Sequence, residues 1–372
     1  MNRSGKLIAF LALVSLPATV LSAPPRYAYF TNQNSVQRVL LGSDAVETLV
    51  PEQVWPLAIA LDAEGGKVYW TDASAPKILR ANTDGSEVEP LVSTEITFPA
   101  GLALDVAGGK MYWGDRDLPG VSRANLDGSE VEHIVPGVSA LGVALDIPGG
   151  KVYWTEELLN VGRANLDGSD AETIISDLGS PNDIALDLDA GVLYVTDENP
   201  SKIVKANLDG SELEVVMSDA GSNPFGLALD PENGKMYWTD IATGISRRSN
   251  LDGTEGEDLF PAAWSFGIVL EWGAAPPAFI RGDADSSGKA EITDAIYILN
   301  ALFLGGPLPS CPDAADSDDD GALALTDAVY LLNYLFIAGK APPAPGPDAC
   351  DADPTEDGLP PCVLKPDRCG AR

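Results

Sequence analysis

Two twelve-residue segments near the C-terminus carry oxygen-bearing side chains at matching intervals. The first runs from Asp283 to Asp294 and the second from Asp316 to Asp327. In both segments positions 1, 3, 5 and 12 are Asp or Ser, and position 6 is glycine. Calcium takes roughly six to eight oxygen ligands, which a loop supplies by turning sharply at a glycine and pointing alternate side chains inward. The sequence therefore predicts two calcium ions, one in each loop.

The predicted ligands are side chains, one backbone carbonyl in each loop, and one acid that acts through water. For the first ion they are Asp283, Asp285, Ser287, Lys289 (carbonyl), Glu291 (through water) and Asp294. For the second ion they are Asp316, Asp318, Asp320, Ala322 (carbonyl) and Asp327. Position 12 holds Asp, which has a shorter arm than the bidentate Glu usual in EF-hands. Because Ser287 brings no charge, we expect the first ion to be bound more weakly.

Each loop leads into a segment whose apolar residues have helical spacing, with Thr293 and Thr326 as predicted N-caps. The predicted apolar faces are Ile296, Ile298, Leu299, Leu302 and Phe303 in the first copy, and Val329, Leu331, Leu332, Leu335 and Phe336 in the second. This duplicated loop-helix pattern resembles dockerin domains. The resemblance implies a small all-α calcium-binding domain that docks onto a cohesin-like partner, in bacterial assemblies often concerned with polysaccharide breakdown. Ile292-Thr293 and Leu325-Thr326 depart from the Ser-Thr pair frequent in cellulosomal dockerins.

The N-terminus and the overall charge indicate the compartment and exclude some partners. Arg3 and Lys6 precede an apolar run that ends before Ser22 and Ala23, which is typical of a secretory signal peptide over residues 1–23. No later run is long and apolar enough to span a membrane. The formal net charge of −33 disfavours nucleic acid as a partner and favours divalent cations. We therefore expect an exported, bacterial protein.

The cysteines are confined to the C-terminal part of the chain. They are Cys311, Cys350, Cys362 and Cys369. An even number in an exported protein predicts two disulfides, whose connectivity the sequence leaves open. Their spacing matches no zinc-binding pattern, and no histidine lies nearby.

Residues 26–272 are dominated by a repeat of about 41 residues. The repeated tetrads begin at Tyr29, Tyr69, Tyr112, Tyr153, Tyr194 and Tyr237. Each full unit contains four short strand-like segments, separated by Gly-Gly or Asp-Gly turns, which is typical of a propeller blade. The first unit lacks its opening strand, and Gly267 to Glu271 supplies it from the other end. The sequence predicts an all-β six-bladed β-propeller closed by joining its ends.

The tetrads and the Ala-Asn-Leu-Asp-Gly-Ser turns resemble the YWTD, or class B, repeats of low-density lipoprotein receptors. That resemblance implies a propeller that serves as an interaction platform and not as a catalyst. The tetrads depart from it by Asn32 and Glu156 in place of Asp, Gly114 in place of Thr and Val195 in place of Trp. These departures predict altered hydrogen bonds between some blades.

The candidates for binding are loop residues on one face of the propeller that do not recur from blade to blade. They are the aromatic residues Trp55, Phe98, Phe225 and Trp264, together with Arg116, Glu157 and Glu198. Aromatic anchors surrounded by acidic groups would suit a peptide or protein that carries basic and apolar side chains. The alternative is that the aromatic residues only cap the propeller core.

An enzymatic function is the weaker hypothesis. Ser180-Pro-Asn-Asp183 has a faint similarity to the inner loops of gluconolactonases, which bind a metal in the propeller channel. The single histidine, His133, is predicted in an outer strand, and no nucleophile elbow, phosphate loop or dinucleotide motif is present. We therefore expect a secreted non-enzymatic adaptor, with a propeller hydrolase or lactonase as the alternative. The predicted parts are residues 1–23 (signal peptide), 26–272 (propeller), 273–279 (linker), 280–340 (calcium module) and 341–372 (Pro- and Cys-rich tail).

Overall fold

The structure is a computed structural model that describes residues 26–343, except 44, 119, 158 and 273–278, and also residues 346 and 347. The predicted signal peptide, most of the predicted linker and most of the tail lie outside the described residues. Cys350, Cys362 and Cys369 lie outside them as well. The description below concerns two parts, a propeller and a helical module that follows it.

The propeller is made of six four-stranded antiparallel sheets, one for each predicted blade. Blade 1 contains β1 (Tyr27–Asn32), β2 (Ser35–Leu40), β3 (Val46–Val50) and the last strand, β24 (Ser265–Glu271). Blade 2 contains β4 (Pro56–Asp62), β5 (Lys67–Asp72), β6 (Lys77–Asn82) and β7 (Glu89–Val92). Blade 3 contains β8 (Pro99–Asp105), β9 (Lys110–Asp115), β10 (Gly120–Asn125) and β11 (Glu132–Pro136).

The other three blades repeat this order. Blade 4 contains β12 (Ala140–Asp146), β13 (Lys151–Glu156), β14 (Asn160–Asn165) and β15 (Glu172–Ile175). Blade 5 contains β16 (Pro181–Asp187), β17 (Val192–Glu198), β18 (Ser201–Asn207) and β19 (Glu214–Ser218). Blade 6 contains β20 (Pro224–Asp230), β21 (Lys235–Asp240), β22 (Ile245–Asn250) and β23 (Glu257–Pro261).

The ring closes as predicted, because β24 pairs with β1 in one sheet. Tyr27 lies opposite Glu271 at one end of this pairing. The C-terminal strand of the propeller thus provides the innermost strand of the N-terminal blade. Pairing the two ends leaves no exposed sheet edge at the junction.

The hydrophobic core lies between neighbouring sheets. Tyr69 and Ile78 of blade 2, for example, pack in one cluster with Met111 and Trp113 of blade 3. The Asp-Gly turns fit the same interfaces, since Gly85 has φ of 82° and lies directly against the carbonyl oxygen of Leu49 in the preceding blade. A side chain at this position would be both strained and blocked by backbone.

The tetrad threonine joins consecutive blades through its hydroxyl. In blade 2, the Thr71 hydroxyl accepts the Ala58 N–H at 3.0 Å and donates to the Ala100 carbonyl of blade 3 at 2.9 Å. We call this arrangement the threonine bridge. The same bridge is made by Thr31, Thr155, Thr196 and Thr239. Blade 3 lacks it because Gly114 replaces threonine, which confirms that this departure alters the hydrogen bonds between blades.

The helical module contains α1 (Ile292–Phe303), α2 (Pro312–Ala315) and α3 (Leu325–Ile337). Helices α1 and α3 follow the two predicted calcium loops and pack against each other. Their shared core is Ala284, Ala295, Ile298, Ala315, Ala328 and Leu331, all almost fully buried. Cys311 is disulfide-bonded.

Two details of these helices differ from the prediction. The N-cap residues are Glu291 and Ala324, not Thr293 and Thr326. The helices begin earlier because the carboxylates of Asp294 and Asp327 accept the backbone N–H groups of these N-cap residues, at 2.8 and 2.7 Å.

The predicted apolar faces are also wider than the buried faces. Ile298 and Leu331 are fully buried, and Leu299, Leu302, Leu332 and Leu335 pack at the edge of the core. Four residues predicted to belong to these faces are exposed by about half or more: Ile296 (57%), Phe303 (63%), Val329 (47%) and Phe336 (64%). A pair of helices this short can cover only one stripe of each partner, which leaves the next stripe in solvent.

Candidate functional site

The first strands of the blades converge at one end of the propeller, where they surround a cavity of about 290 Å³. We call this the mouth cavity. Its lining residues are Trp55, Leu57, Ala58, Phe98, Ala100, Gly101, Arg116, Leu141, Gly142, Glu157, Ser180, Asn182, Asp183, Glu198, Phe225, Phe266 and Gly267. Every blade contributes at least one of them.

The repeat itself positions this lining. The second residue of each first strand carries the carbonyl that receives a threonine bridge in five of the six blades, and its side chain lines the cavity. The buried aspartates that end the tetrads hold the loops beside it: Asp115 accepts the Phe98 N–H at 3.0 Å, and Asp197 accepts the Ser180 N–H at 2.6 Å. The tetrads therefore act as the frame of the site, as their recurrence in every blade predicted.

Six of the seven predicted binding residues line the mouth cavity. They are Trp55, Phe98, Arg116, Glu157, Glu198 and Phe225. Trp264 is the exception: it is 57% exposed in the loop before β24 but does not line the cavity. Its place on the binding face stays a prediction, and the cavity position of that strand is taken by the second residue, Phe266.

The aromatic lining forms a continuous wall. The rings of Trp55 and Phe98 lie 6.1 Å apart, those of Trp55 and Phe266 lie 6.2 Å apart, and those of Phe225 and Phe266 lie 5.4 Å apart. Trp55 remains 39% exposed. The Arg116 guanidinium lies 3.6 Å from the centroid of Phe98 and pairs with Asp117 at 3.0 Å.

The polar lining includes two residues of blade 5, Asn182 and Asp183, which the sequence connected only with the alternative of a metal-binding lactonase. Asp183 accepts the N–H groups of Leu227 and Ile184, both at 2.9 Å. Burial raises the pKa of Asp183 to about 6, against the lowering effect of these two hydrogen bonds. The sequence does mark these two residues as unusual, because no other blade has a polar pair at the equivalent positions.

The first predicted calcium loop brings acidic groups together. Carboxylate oxygens of Asp283, Asp285 and Asp294 lie within 4.8 Å of one another. Asp283 accepts the N–H groups of Ser287 and Gly288, both at 2.8 Å, so the loop curls around this carboxylate. Gly288 has φ of 95°, the left-handed conformation that the sharp turn at position 6 requires.

Two further predicted ligands of this loop have other contacts. The Ser287 hydroxyl lies 3.3 Å from Asp283 and 3.4 Å from the Lys289 carbonyl, which puts both predicted ligands beside the cluster. Glu291 is not in the carboxylate cluster; it is the exposed N-cap residue of α1.

The second loop has a similar cluster, formed by positions 1, 3 and 5 where the first loop uses positions 1, 3 and 12. Carboxylate oxygens of Asp316, Asp318 and Asp320 lie within 4.8 Å of one another. Asp316 accepts the Gly321 N–H at 2.8 Å, as Asp283 accepts that of Gly288. Asp327 accepts the Ser317 N–H at 2.9 Å, and the N–H of Ala322 donates to Asp320 at 3.0 Å.

Burial and neighbouring carboxylates raise the pKa of one aspartate in each loop. Burial, with the nearby Asp285 and Asp283, raises the pKa of Asp294 to about 7. Burial, with the nearby Asp316 and Asp318, raises the pKa of Asp327 to about 7. The donors are oxygen atoms throughout, which are the ligands that calcium prefers. These residues fit a divalent cation, because one would offset the repulsion between buried carboxylates.

A buried arginine supports the second loop. The Arg281 side chain is fully buried and pairs with Asp319 at 3.0 Å. It also donates to the Asp316 carbonyl at 2.9 Å and lies over the Phe279 ring. Because Arg281 is two residues before Asp283, it connects the start of the first loop with the second loop.

Comparison with known proteins identifies the repeats. A family model for low-density lipoprotein receptor repeat class B matches residues 66–106, 150–188 and 191–231. A curated relative, low-density lipoprotein receptor-related protein 1 of Pyricularia oryzae, is 42% identical over 60 residues. That alignment covers 16% of this chain and 18% of the relative, so the chain spans under a fifth of the length of the relative it matches.

Solved structures confirm the fold. A chain of the nidogen/laminin complex matches with a TM-score of 0.60 at 23% identity, over 66% of this chain and 97% of that one. The putative TolB of Agrobacterium tumefaciens matches with a TM-score of 0.52 at 10% identity, over 67% of this chain and 99% of that one. No helix in the described part of the chain has the length and hydropathy to cross a membrane. The first part of this chain is a six-bladed β-propeller, and three segments of it match the low-density lipoprotein receptor class B repeat.

Proposed function

We propose that this chain is an exported adaptor, in which the propeller captures a protein partner at the mouth cavity and the helical module binds two calcium ions and docks onto a second protein. The observation that carries the proposal is the convergence of six predicted binding residues on one cavity. These residues come from five different blades, and none of them belongs to the repeated tetrads.

The composition of the mouth cavity supports a protein ligand. Large aromatic side chains beside charged groups are the usual anchors of protein interfaces. Class B repeats match this part of the chain, and the similar propeller in the nidogen/laminin complex belongs to a protein that is crystallised with a partner. The proposed partner carries basic and apolar side chains.

Trp55→Ala and Trp264→Ala form a matched pair for testing the propeller. Both tryptophans are exposed and both precede the first strand of a blade, but only Trp55 lines the mouth cavity. In a pull-down from the secreted fraction of the source, Trp55→Ala should lose most of the captured partner and Trp264→Ala should lose little. Each change should move the thermal unfolding midpoint by less than about 3 °C, as expected for an exposed side chain.

Equal capture by wild type and Trp55→Ala would contradict the proposal. Loss of folding in Trp55→Ala, seen as a lost near-ultraviolet circular dichroism spectrum, would identify Trp55 as a core residue. In that case Trp55 would serve to cover the propeller core and would not be a binding anchor.

The duplicated loop geometry supports calcium binding. Two independent copies place three carboxylates within 4.8 Å of one another, and each curls its backbone around the Asp at position 1. The exposed apolar residues support docking, since they occupy equivalent places on α1 and α3: Ile296 with Val329, and Phe303 with Phe336. The proposed docking partner is a cohesin-like protein that differs from those of the cellulosome, because Ile292-Thr293 and Leu325-Thr326 replace the Ser-Thr pair of cellulosomal dockerins.

Calorimetric titration of the full chain with CaCl₂, after chelation and dialysis, tests the calcium sites. We expect two bound ions, with one lost in Asp283→Asn and the other lost in Asp316→Asn. Asp117→Asn is the control, because Asp117 is an exposed acid of the propeller outside both loops. Absence of binding heat in the wild type would refute the calcium sites.

A propeller hydrolase remains the second candidate, because Asn182 and Asp183 lie in the channel as a metal-binding lactonase would require. Among the described residues, however, the acidic clusters with metal-ligand spacing are those of the two loops. Hydrolysis of a panel of aliphatic lactones, abolished by Asp183→Asn, would favour the hydrolase over the adaptor.

A further inference from the structure

Blade 5 differs from the other five blades at the mouth cavity. Each blade contributes two neighbouring residues of its first strand to this end of the channel. In the other blades these pairs are apolar or glycine: Leu57-Ala58, Ala100-Gly101, Leu141-Gly142, Phe225-Gly226 and Phe266-Gly267. In blade 5 the pair is Asn182-Asp183. The repeat therefore does not need polar groups here.

The two polar side chains have unused hydrogen-bonding capacity toward the cavity. Asn182 is 8% exposed, and its Nδ2 has no hydrogen-bond partner among the described residues. Each carboxylate oxygen of Asp183 accepts one backbone N–H, so each keeps a further lone pair. A buried amide without a partner is unfavourable unless something else supplies one.

The lining of the mouth cavity combines a net negative charge with aromatic side chains. Asp183, Glu157 and Glu198 provide three carboxylates, against one guanidinium from Arg116, which is already paired with Asp117. The rings of Trp55, Phe225 and Phe266 line the same cavity. A cavity of about 290 Å³ is at the small end of ligand pockets and suits one long side chain.

We propose that the mouth cavity is a socket for a single basic side chain of the protein partner, with Asp183 as the residue that pairs with its cationic group. The aromatic wall packs against the methylene stem, and the Asn182 amide donates to a carbonyl of the inserted segment. Glu157 and Glu198 attract the cation from the opening. This proposal rests on the proposed function of the propeller as a partner-binding domain. It specifies the type of side chain that the cavity binds in the partner.

The socket should depend on pH. Because the pKa of Asp183 is raised to about 6, its carboxylate is charged at pH 7.5 and mostly protonated at pH 5. The charged groups that share the cavity are Glu157, Glu198 and Arg116, and the single histidine of the chain, His133, is in the outer strand β11. Binding of the cation should therefore weaken as the pH falls through 6.

The test uses a defined probe, Nα-acetyl-lysine methylamide, with the glutamine analogue as the neutral control. Titration of the full chain, followed by heteronuclear NMR shifts of the Asn182 and Trp55 side-chain N–H groups, should give saturable binding of the lysine probe only. Asp183→Gly is the informative variant, because glycine stands at this position in four other blades and should leave the fold intact. We expect it to weaken lysine binding about ten- to a hundredfold, the effect of losing one charge-assisted hydrogen bond.

Asp183→Asn, which keeps the shape of the side chain, should weaken the probe similarly and remove the pH dependence between 5 and 7.5. Equal affinity for the lysine and glutamine probes, or unchanged lysine binding in Asp183→Gly, would overturn the socket. If the propeller captured its protein partner as well in Asp183→Gly as in wild type, the socket would fail while the adaptor function stood. Loss of capture in Trp55→Ala and in Asp183→Gly together would support both.

Discussion

The propeller and the helical module satisfy their buried polar groups in opposite ways. In the propeller, each buried tetrad threonine or aspartate has a partner of complementary character in the same or the next blade, such as Thr71 with Ala58 and Ala100. In the module, the buried polar groups are mainly carboxylates that face one another. The tetrad threonines and aspartates find their partners within the chain, whereas the clustered carboxylates would be stabilised by a cation from outside. Stability of the two parts should therefore respond to different conditions.

Removal of calcium is the largest expected effect. At a calcium concentration about a hundred times Kd, each ion should contribute about 2.7 kcal/mol to the free energy of unfolding of the module. Scanning calorimetry of the full chain should then show one transition that falls by more than about 10 °C in a chelator, and one that does not move. The helical circular dichroism signal should be lost in the transition whose temperature falls in the chelator. A propeller transition that moved by the same amount would contradict the comparison.

Arg281→Met is the next largest change. It removes the buried guanidinium that pairs with Asp319 and holds the Asp316 carbonyl, and should lower the free energy of unfolding of the module by about 3 kcal/mol. Arg116→Met is the control, because its pair with Asp117 is partly exposed and worth about 1 kcal/mol or less. Calcium titration of Arg281→Met should show weaker binding at the second loop. Equal effects of the two substitutions would show that burial of Arg281 has no energetic consequence.

Thr71→Val breaks one threonine bridge while keeping the shape of the side chain. The Ala58 N–H and the Ala100 carbonyl both lose their hydroxyl partner, so the propeller should lose about 1 to 3 kcal/mol of stability. Thr71→Ser keeps the hydroxyl and should cost clearly less. Urea unfolding followed by tryptophan fluorescence measures the difference. Equal losses in the two variants would assign the effect to packing.

Lys205→Arg is expected to give the smallest change, and it is stabilising. In blades 1 to 4 an arginine at this position donates to a carbonyl of the next blade, at Thr83, Leu126, Leu166 and Leu208. Blade 5 has Lys205, which pairs with Glu214 at 3.4 Å. An arginine could reach the Leu251 carbonyl as well and should add about 0.5 kcal/mol to the propeller. Lys205→Gln should instead be neutral or slightly destabilising, and the calcium-dependent transition should not move in either variant.

Prediction from sequence succeeded for the arrangement of the strands and was less accurate for the exposure of individual side chains. The closure of the ring by β24 followed from the missing first strand of the first unit. The exposure of Phe303 and Phe336 was missed, because helical spacing identifies an apolar stripe but not how much of it a partner covers. Loop position predicts the face of the propeller for Trp264, but it does not show that the neighbouring Phe266 is the side chain that lines the cavity.

The sequence by itself determined the number of blades, the join between the ends of the ring and the candidate ligands in both acidic loops. These features are encoded by residue spacing, and each repeat confirms the interpretation of the others. Only the tertiary structure placed Asn182 and Asp183 of blade 5 beside Glu157 of blade 4 and the aromatic wall of blades 1, 2, 3 and 6. It also buried Arg281 beneath the second loop. The reason is that unique contacts between distant segments depend on how the ring and the helix pair close, and no repeat spacing encodes them.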